Sequence, residues 1–291
     1  MTPSIPDKNS LPLYGCITGI VLPVDTFDLA AGIALRRGIF EIFSAPMLAF
    51  KEAPPGSHTP APWVAVHGGF NFKSRTELVI EDLSALEGFA PFQAAWLIAV
   101  LLRLRVETPV RIAVVANIPL AMLPEKNNNW ALALEASPHH IGIFRKLRQD
   151  ITIEDMKWLA ETLPLAGRFC LEERFMRALS IFDESMWSGS VEKATVLIWT
   201  ALEILFDLGG EQSKTKAICS SLSEYVALDA QDRDRAYNVI RELYEKRGRI
   251  VHAGREIAAK DFAQSFALAR TTFLNVLDRA ELPRTRTRVL Q

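Results

Sequence analysis

The sequence predicts an α+β protein in two parts, a mixed α and β domain at residues 1–150 and an all-α domain at residues 151–291. Short β-rich runs separated by Gly, Pro and Asn fill the first part. From about Thr152 onward, apolar residues recur every three or four positions, which is typical of helices. The chain has 291 residues, 49% of them hydrophobic, so it can bury a sizeable core and divide into two domains.

The N-terminal part is predicted to contain one strong helix among its strands. The helix covers residues 92–104, within an apolar run at 89–102 that is shorter than the roughly 20 residues of a membrane span. The predicted strands are 14–22, 33–42, 63–70, 77–80, 110–118 and 130–135. This part offers little chemistry, because the adjacent His139 and His140 diverge on a helix or a strand and therefore suit a metal poorly.

The C-terminal part is predicted to contain six helices. Thr152, with Asp155 three residues on, caps the first, and Pro164 and Gly167 end it. Asp229 caps the fifth. The second and the last helix each carry one apolar stripe, formed by Leu171, Phe175, Ala178, Leu179 and Phe182 and by Phe262, Phe266, Ala269, Phe273 and Val276.

The third of these helices is apolar over almost all of residues 194–208, which predicts burial on most sides. Ser190 can cap it, and Gly209-Gly210 ends it. Its exception is Glu203. A buried carboxylate requires a basic partner or a hydrogen-bond network, unless Glu203 lies on one narrow face in contact with water.

The segment 247–252 is the best candidate for a functional site. Arg247 continues the core-facing stripe of the fifth helix, so its side chain should point inward or into a cleft. His252 lies five residues later, which is about 140° around a regular helix, and two such side chains do not meet. Gly248 weakens the helix. Either the chain turns here and brings His252 beside Arg247, or the two residues serve different surfaces.

Composition limits the classes of partner and compartment. The net charge of −1 gives no overall attraction to a polyanion, so a nucleic-acid site must come from local clusters such as the one at 233–255, which also fits a solvated helix face. A second cluster is formed by the arginines of the tail at 284–288. Three widely spaced cysteines predict neither a disulfide framework nor a zinc site. No signal-like segment is recognised, so we expect a cytoplasmic protein with no membrane partner.

The residues around Arg247 resemble the R-x4-6-H motif of HEPN domains. Arg247-x4-His252 follows Leu243-Tyr244 and precedes Ala253-Gly254, and it is most similar to the ApeA-like group, whose motif reads approximately Y-x-x-R-S-x-x-V-H-G. The upstream segment 199–206 resembles the central helix of that group, which contains a similarly placed Leu-Glu. The resemblance covers residues 152–280. It departs from the group at Gly248, where a small polar residue is usual, and at Gly254, which stands one position late.

The resemblance implies a HEPN-like bundle and a metal-independent endoribonuclease that needs no cofactor and builds its site from two copies of the motif across a homodimer. RNA carries its own nucleophile, the 2′-hydroxyl, so the protein must mainly place it, neutralise the phosphate and move a proton. The residues assigned by the resemblance are Arg247 for the scissile phosphate, His252 as general acid/base, Glu203 and Tyr244 as orienting residues, and Lys246 and Arg249 for flanking phosphates.

Phage defence or a toxin role follows by analogy with the same family. Two alternatives stay open: a non-catalytic HEPN module that binds RNA, a nucleotide or a partner protein, and a structural dimerisation domain. In the structural alternative, Arg247 pins two helices and His252 caps a helix end.

Overall fold

The chain forms an α+β structure, as predicted, with an N-terminal antiparallel sheet followed by a helical region. The computed structural model describes residues 10–43, 47–50, 53, 55–57, 63–67, 71–123, 132–134, 149–208, 214–227 and 229–283. His139-His140, Gly209-Gly210 and the arginines of the tail lie outside the described residues.

Ten strands lie in the described part of the N-terminal half: β1 (Leu13–Thr18), β2 (Ile20–Val21), β3 (Thr26–Ala30), β4 (Ile33–Phe43), β5 (Met47–Phe50), β6 (Trp63–His67), β7 (Asn71–Ile80), β8 (Arg111–Ala116), β9 (Leu132–Leu134) and β10 (Gln149–Asp150). Six of them form one sheet in the order β3-β4-β7-β1-β8-β9, and every neighbouring pair in it is antiparallel. The short pairs β10-β2 and β5-β6 form two further sheets.

The predicted strands agree with the structure in position but not always in extent. The strand expected at 14–22 is divided into β1 and β2 at Gly19, whose φ is +94°. A side chain there would stand 3.1 Å from the backbone of Pro109 and Val110, so the break combines a left-handed backbone with a close approach. Strand β3 was not predicted, because it is only five residues long and contains an aspartate, a residue that is depleted in strands.

The core lies between the sheet and the helices and crosses position 150. Helix α1 (Pro91–Val106), the predicted helix, buries twelve of its sixteen residues. Strand β1 is buried on both faces: Ile17 belongs to the main core, and Cys16 to a smaller cluster on the far side of the sheet. The main core continues into the C-terminal helices, so the two parts share one hydrophobic interior. The division into two folding units at residue 150 stays a prediction.

The described part of the C-terminal half contains six helices: α2 (Ile153–Cys170), α3 (Glu173–Met186), α4 (Val191–Leu205), α5 (Lys214–Val226), α6 (Ala230–Ala253) and α7 (Ala259–Arg279). The predicted caps of α2, α4 and α6 are confirmed. The side chains of Thr152, Ser190 and Asp229 each accept a hydrogen bond from the backbone N–H three residues on.

Two predicted helix ends are wrong. Helix α2 passes through Pro164 and Gly167 to Cys170, because the apolar stripe that it buries continues past the proline. Gly167 serves packing rather than termination, since a Cβ there would lie 2.6 Å from Leu86 Cδ2. Helix α4 ends at Leu205, before Gly209-Gly210, because Asp207 adopts a left-handed conformation with φ +52°.

Buried polar contacts tie α1 to the bundle. Arg103 of α1 forms an ion pair of 2.7 Å with Asp183 of α3, and both side chains are less than a tenth exposed. Trp96 Nε1 donates to the other oxygen of Asp183 at 3.0 Å. Arg270 of α7 donates to the carbonyl oxygen of Leu104 at the end of α1. Helix α1 is therefore held by the C-terminal helices as well as by the sheet.

Candidate functional site

Helix α6 runs without interruption through the segment 247–252. It ends only at Gly254, which has φ +58° and donates its N–H to the carbonyl oxygen of Ile250 at 3.0 Å. The turn at Gly248, one of the two alternatives left open by the sequence, is absent, so Arg247 and His252 point about 140° apart around one helix. The hypothesis that a bend brings the two side chains together is therefore wrong. The alternative is correct: the two side chains face different surfaces.

The helix continues across Gly248 because the residues just before it are tied down. Ile240, Leu243 and Tyr244 are buried in the core, and Lys246 forms an ion pair of 2.9 Å with Asp261 at the start of α7. These contacts offset the roughly 1 kcal/mol that a glycine costs in a helix interior.

Arg247, Glu203 and Tyr244 form a compact cluster between α6 and α4. Arg247 Nη2 lies 3.2 Å from Glu203 Oε1, and the two side chains are 18% and 19% exposed. The Tyr244 hydroxyl donates to the same Oε1 at 2.7 Å, and the Arg247 guanidinium lies 5.5 Å from the centre of the Tyr244 ring. Glu203 thus has the basic partner that its position in an apolar helix requires, and Arg247 points inward as predicted.

The surroundings of this cluster make it rigid. The ring of Trp199, fully buried on α4, meets the Tyr244 ring edge-on at 5.3 Å. Trp199 Nε1 also donates to Ser265 of α7 at 3.3 Å. The helices α4, α6 and α7 are therefore locked against one another next to Arg247.

The electrostatics of the cluster favour a neutral phenol beside a charged pair. Burial raises the pKa of Tyr244 to about 12, and the hydrogen bond that the hydroxyl donates to Glu203 adds to the increase. Arg247 Nε is buried and has no hydrogen-bond partner in the described part of the chain. The guanidinium is consequently held by the contact of Nη2 with Glu203 and by its position over the Tyr244 ring, and not by hydrogen bonds from all of its N–H groups.

His252 stands apart from this cluster. It is exposed in the last turn of α6, and none of the described residues forms a hydrogen bond with its imidazole. Val251, next to it, is also 48% exposed. An exposed imidazole suits proton exchange with a ligand, whereas the expected structural role of capping the helix end has no hydrogen bond to support it.

The two residues assigned to flanking phosphates differ in their surroundings. Lys246 donates to Glu242 at 2.7 Å and to Asp261 at 2.9 Å, and these hydrogen bonds raise its pKa. Arg249 is exposed on the same helix. Phosphate binding by both stays a prediction, and for Lys246 it requires competition with two carboxylates.

A cleft of about 480 Å³, which we call the α3–α4 cleft, opens beside Glu203. It lies between the start of α3 and the end of α4, and its charged lining consists of Glu172, Glu173, Arg174, Arg177, Glu203 and Asp207. The sequence did not predict it, because its two walls are formed by residues about 30 positions apart. Asp207, a second charged residue besides Glu203 in the apolar run 194–208, was a signal for it.

Among the described residues, no group of His, Cys, Asp or Glu side chains is arranged to hold a metal ion. In the same part of the chain, no helix combines the length and the hydropathy needed to cross a bilayer.

Comparison of the chain with models of known families, with curated proteins and with solved structures finds no match. The resemblance to HEPN domains therefore rests on the residues quoted above.

Proposed function

We propose that this chain is a metal-independent endoribonuclease of the HEPN type that works as a homodimer. The observation that carries the proposal is the contact of Arg247 with both Glu203 and Tyr244, the two residues that the resemblance groups with it. Glu203 lies on α4 and is 41 positions from Tyr244 of α6, so its contacts with Tyr244 and Arg247 are not a consequence of local sequence. Exposure of His252 at the end of the same helix adds an accessible proton carrier.

The reaction is a transfer of the phosphoryl group within the RNA. The 2′-hydroxyl oxygen attacks the neighbouring phosphorus and loses its proton to a base, while the bond from phosphorus to the 5′-oxygen breaks and that oxygen gains a proton. The products are a 2′,3′-cyclic phosphate and a 5′-hydroxyl. His252 is the residue that moves the proton. Arg247 neutralises the phosphate, because the planar set of donors on its guanidinium matches the phosphate oxygens.

The divergence of Arg247 and His252 determines how these roles are divided. Because the two side chains of one copy point about 140° apart, they do not reach one phosphate together. A second copy of the chain provides the missing group, so each scissile phosphate meets Arg247 of one copy and His252 of the partner. This arrangement is the composite site that the resemblance implies.

A specific observation favours a non-catalytic alternative, in which the module binds RNA, a nucleotide or a protein. Glu203 already neutralises Arg247, and Glu242 and Asp261 neutralise Lys246, so both cations carry internal partners. In this alternative Arg247 joins α4 to α6 and does not touch a substrate.

The test of catalysis is an RNA cleavage assay of the full chain in EDTA. We expect the wild type to leave 2′,3′-cyclic phosphate ends, His252→Ala to abolish cleavage, and the control Glu256→Ala, an exposed residue just beyond the helix, to cleave like the wild type. Binding of RNA by all three proteins with no cleavage by any would establish the non-catalytic alternative.

A mixing experiment tests the composite site. Arg247→Lys keeps a positive charge beside Glu203 but loses the planar fork, and His252→Ala loses the proton carrier. If the two groups act across a dimer, mixing the two inactive variants restores part of the activity, because one of the two sites in each mixed dimer is intact. Lack of recovery in dimers shown to be mixed would contradict the composite site.

A further inference from the structure

The α3–α4 cleft has two walls that differ in charge. The wall at the start of α3 has Arg174 and Arg177 next to Glu172 and Glu173, so it carries both signs, whereas the wall at the end of α4 has only the carboxylates of Glu203 and Asp207 as charged groups. Its volume of about 480 Å³ is within the range of sites that bind small molecules. Glu203 connects the cleft to Arg247, so a group in the cleft lies next to the proposed ribonuclease site.

The α3 wall has unused donors for an anion. Arg174 Nη2 donates to the carbonyl oxygen of Pro283 at 3.2 Å, but its Nη1 is buried and has no partner in the described ranges of the chain. A buried donor without a partner is costly, and an ordered water, or a ligand toward which the side chain turns, would satisfy it. Arg177 is exposed one helical turn further on, on the same side of α3 as Arg174. The two guanidinium groups together suit one phosphate.

The α4 wall has unused acceptors. Within the described ranges, both contacts of the Glu203 carboxylate, from Arg247 and from Tyr244, end on Oε1, which leaves Oε2 to a group in the cleft. Asp207 is exposed beside it. Carboxylates only accept hydrogen bonds, so this wall selects a ligand that presents N–H donors.

Asp207 occupies a position where glycine is the usual residue. Its backbone N–H donates to the carbonyl oxygen of Ile204 at 3.0 Å, and the N–H of Leu208 donates to the carbonyl oxygen of Glu203 at 3.2 Å. These two hydrogen bonds form the Schellman pattern of helix ends. The left-handed residue of this motif is most often glycine, and here it is an aspartate with φ +52°.

We propose that the α3–α4 cleft binds one nucleotide of the RNA substrate, with its phosphate at Arg174 and Arg177 and a guanine base at Glu203 and Asp207. Guanine fits this wall best because its Watson–Crick edge carries two adjacent donors, N1–H and the N2 amino group, whereas the other bases present fewer. A ligand with negative charge alone is disfavoured, since four carboxylates and two guanidinium groups line the cleft. The assignment rests on the proposed ribonuclease function and adds a base preference to it.

The test is a titration of the full-length chain with GMP, AMP, CMP and UMP, followed by calorimetry or by nuclear magnetic resonance. These mononucleotides have no bond to cleave, so binding is measured independently of catalysis. We expect GMP to bind about tenfold more tightly than the others, which corresponds to one or two additional hydrogen bonds. Guanosine without its phosphate should bind more weakly than GMP.

Three variants locate the bound nucleotide. Asp207→Gly supplies the residue that the helix end prefers, so it should keep or raise the melting temperature while it removes the GMP preference. Arg177→Ala should weaken all four mononucleotides, because they share the phosphate. The control Arg168→Ala removes an exposed arginine on α2 outside the cleft. It should change neither the preference for GMP nor the affinity for the four mononucleotides.

The outcomes separate this proposal from the ribonuclease proposal. Guanine-selective binding that Asp207→Gly abolishes supports the cleft assignment even if no RNA is cleaved. Cleavage of RNA without any mononucleotide binding, or a GMP affinity that Asp207→Gly leaves unchanged, overturns the cleft assignment and leaves the ribonuclease proposal standing. His252→Ala should bind GMP like the wild type, and loss of binding in this variant would also overturn the assignment.

Discussion

Arg247 on α6 and Glu203 on α4 form an ion pair of 3.2 Å, and Tyr244 donates to the same carboxylate oxygen at 2.7 Å. Both members of the pair are about four-fifths buried, so the charges are partly removed from water and depend on each other. The contact both holds two helices together and presents a guanidinium beside the α3–α4 cleft. Removing either partner should therefore affect stability and function together.

The loss of stability on replacement of Glu203 should increase with the part of the carboxylate that the substitution removes. Glu203→Gln keeps an oxygen for Tyr244 and Arg247 and should cost about 1 kcal/mol, whereas Glu203→Ala leaves both donors unpaired and should cost about 2–3 kcal/mol. The measurement is the free energy of unfolding in urea. Combining Glu203→Gln with Arg247→Met completes a double-mutant cycle, and a coupling energy near zero would show that the pair does not stabilise the fold.

Tyr244 should make stability depend on pH in the alkaline range. Its pKa is raised in the folded chain to about 12 from an ordinary value of 10.0, so the folded state holds this proton more tightly than the unfolded state. The stabilisation is complete below pH 10 and is lost as pH rises toward 12, with a total of roughly 2–3 kcal/mol. Other groups also titrate there, including Tyr225, so the comparison is with Tyr244→Phe. The variant should lose less stability than the wild type between pH 9 and about pH 11. Equal losses in the two proteins would contradict the expected shift.

Substitutions of Gly248 distinguish a rigid from a bending helix α6. A Cβ at this position meets nothing within 4 Å, so Gly248→Ala should raise the free energy of unfolding by about 0.5–1 kcal/mol. If α6 stays straight during the reaction, RNA cleavage by this variant should equal that of the wild type. Reduced cleavage by a more stable protein would indicate that the helix must bend at Gly248. Gly248→Ser restores the small polar residue of the ApeA-like motif, and we expect it to cleave at least as fast as Gly248→Ala.

Two adjacent carboxylates on α3 should differ sharply in their effect on stability. Asp183 is buried against Arg103 and also accepts from Trp96, so Asp183→Ala should cost about 3–5 kcal/mol by leaving a buried charge unpaired. Glu184 forms an exposed contact of 3.8 Å with Lys193, and Glu184→Ala should change stability by less than about 0.5 kcal/mol. Chemical denaturation of both variants is the measurement. Similar effects of the two substitutions would mean that the buried pair does not link α1 to the bundle.

Much of the fold could be predicted from neighbouring residues. The caps at Thr152, Ser190 and Asp229 were found because a cap depends on a side chain and a backbone N–H only three residues away. The inward direction of Arg247 followed from helical periodicity in the same way. Helix ends that depend on packing were missed, since the continuation of α2 through Pro164 is stabilised by residues far along the chain.

The candidate site divides along the same line. The sequence by itself determined the residue types, the spacing of Arg247 and His252 and the need of Glu203 for a partner. These features depend on local pattern and on the cost of burying a charge. The tertiary structure decided that α6 stays straight across Gly248, that Glu203 meets Arg247 and Tyr244, and that a cleft opens beside them. The reason is physical: a glycine costs a helix only about 1 kcal/mol, so contacts with distant helices determine whether the chain bends.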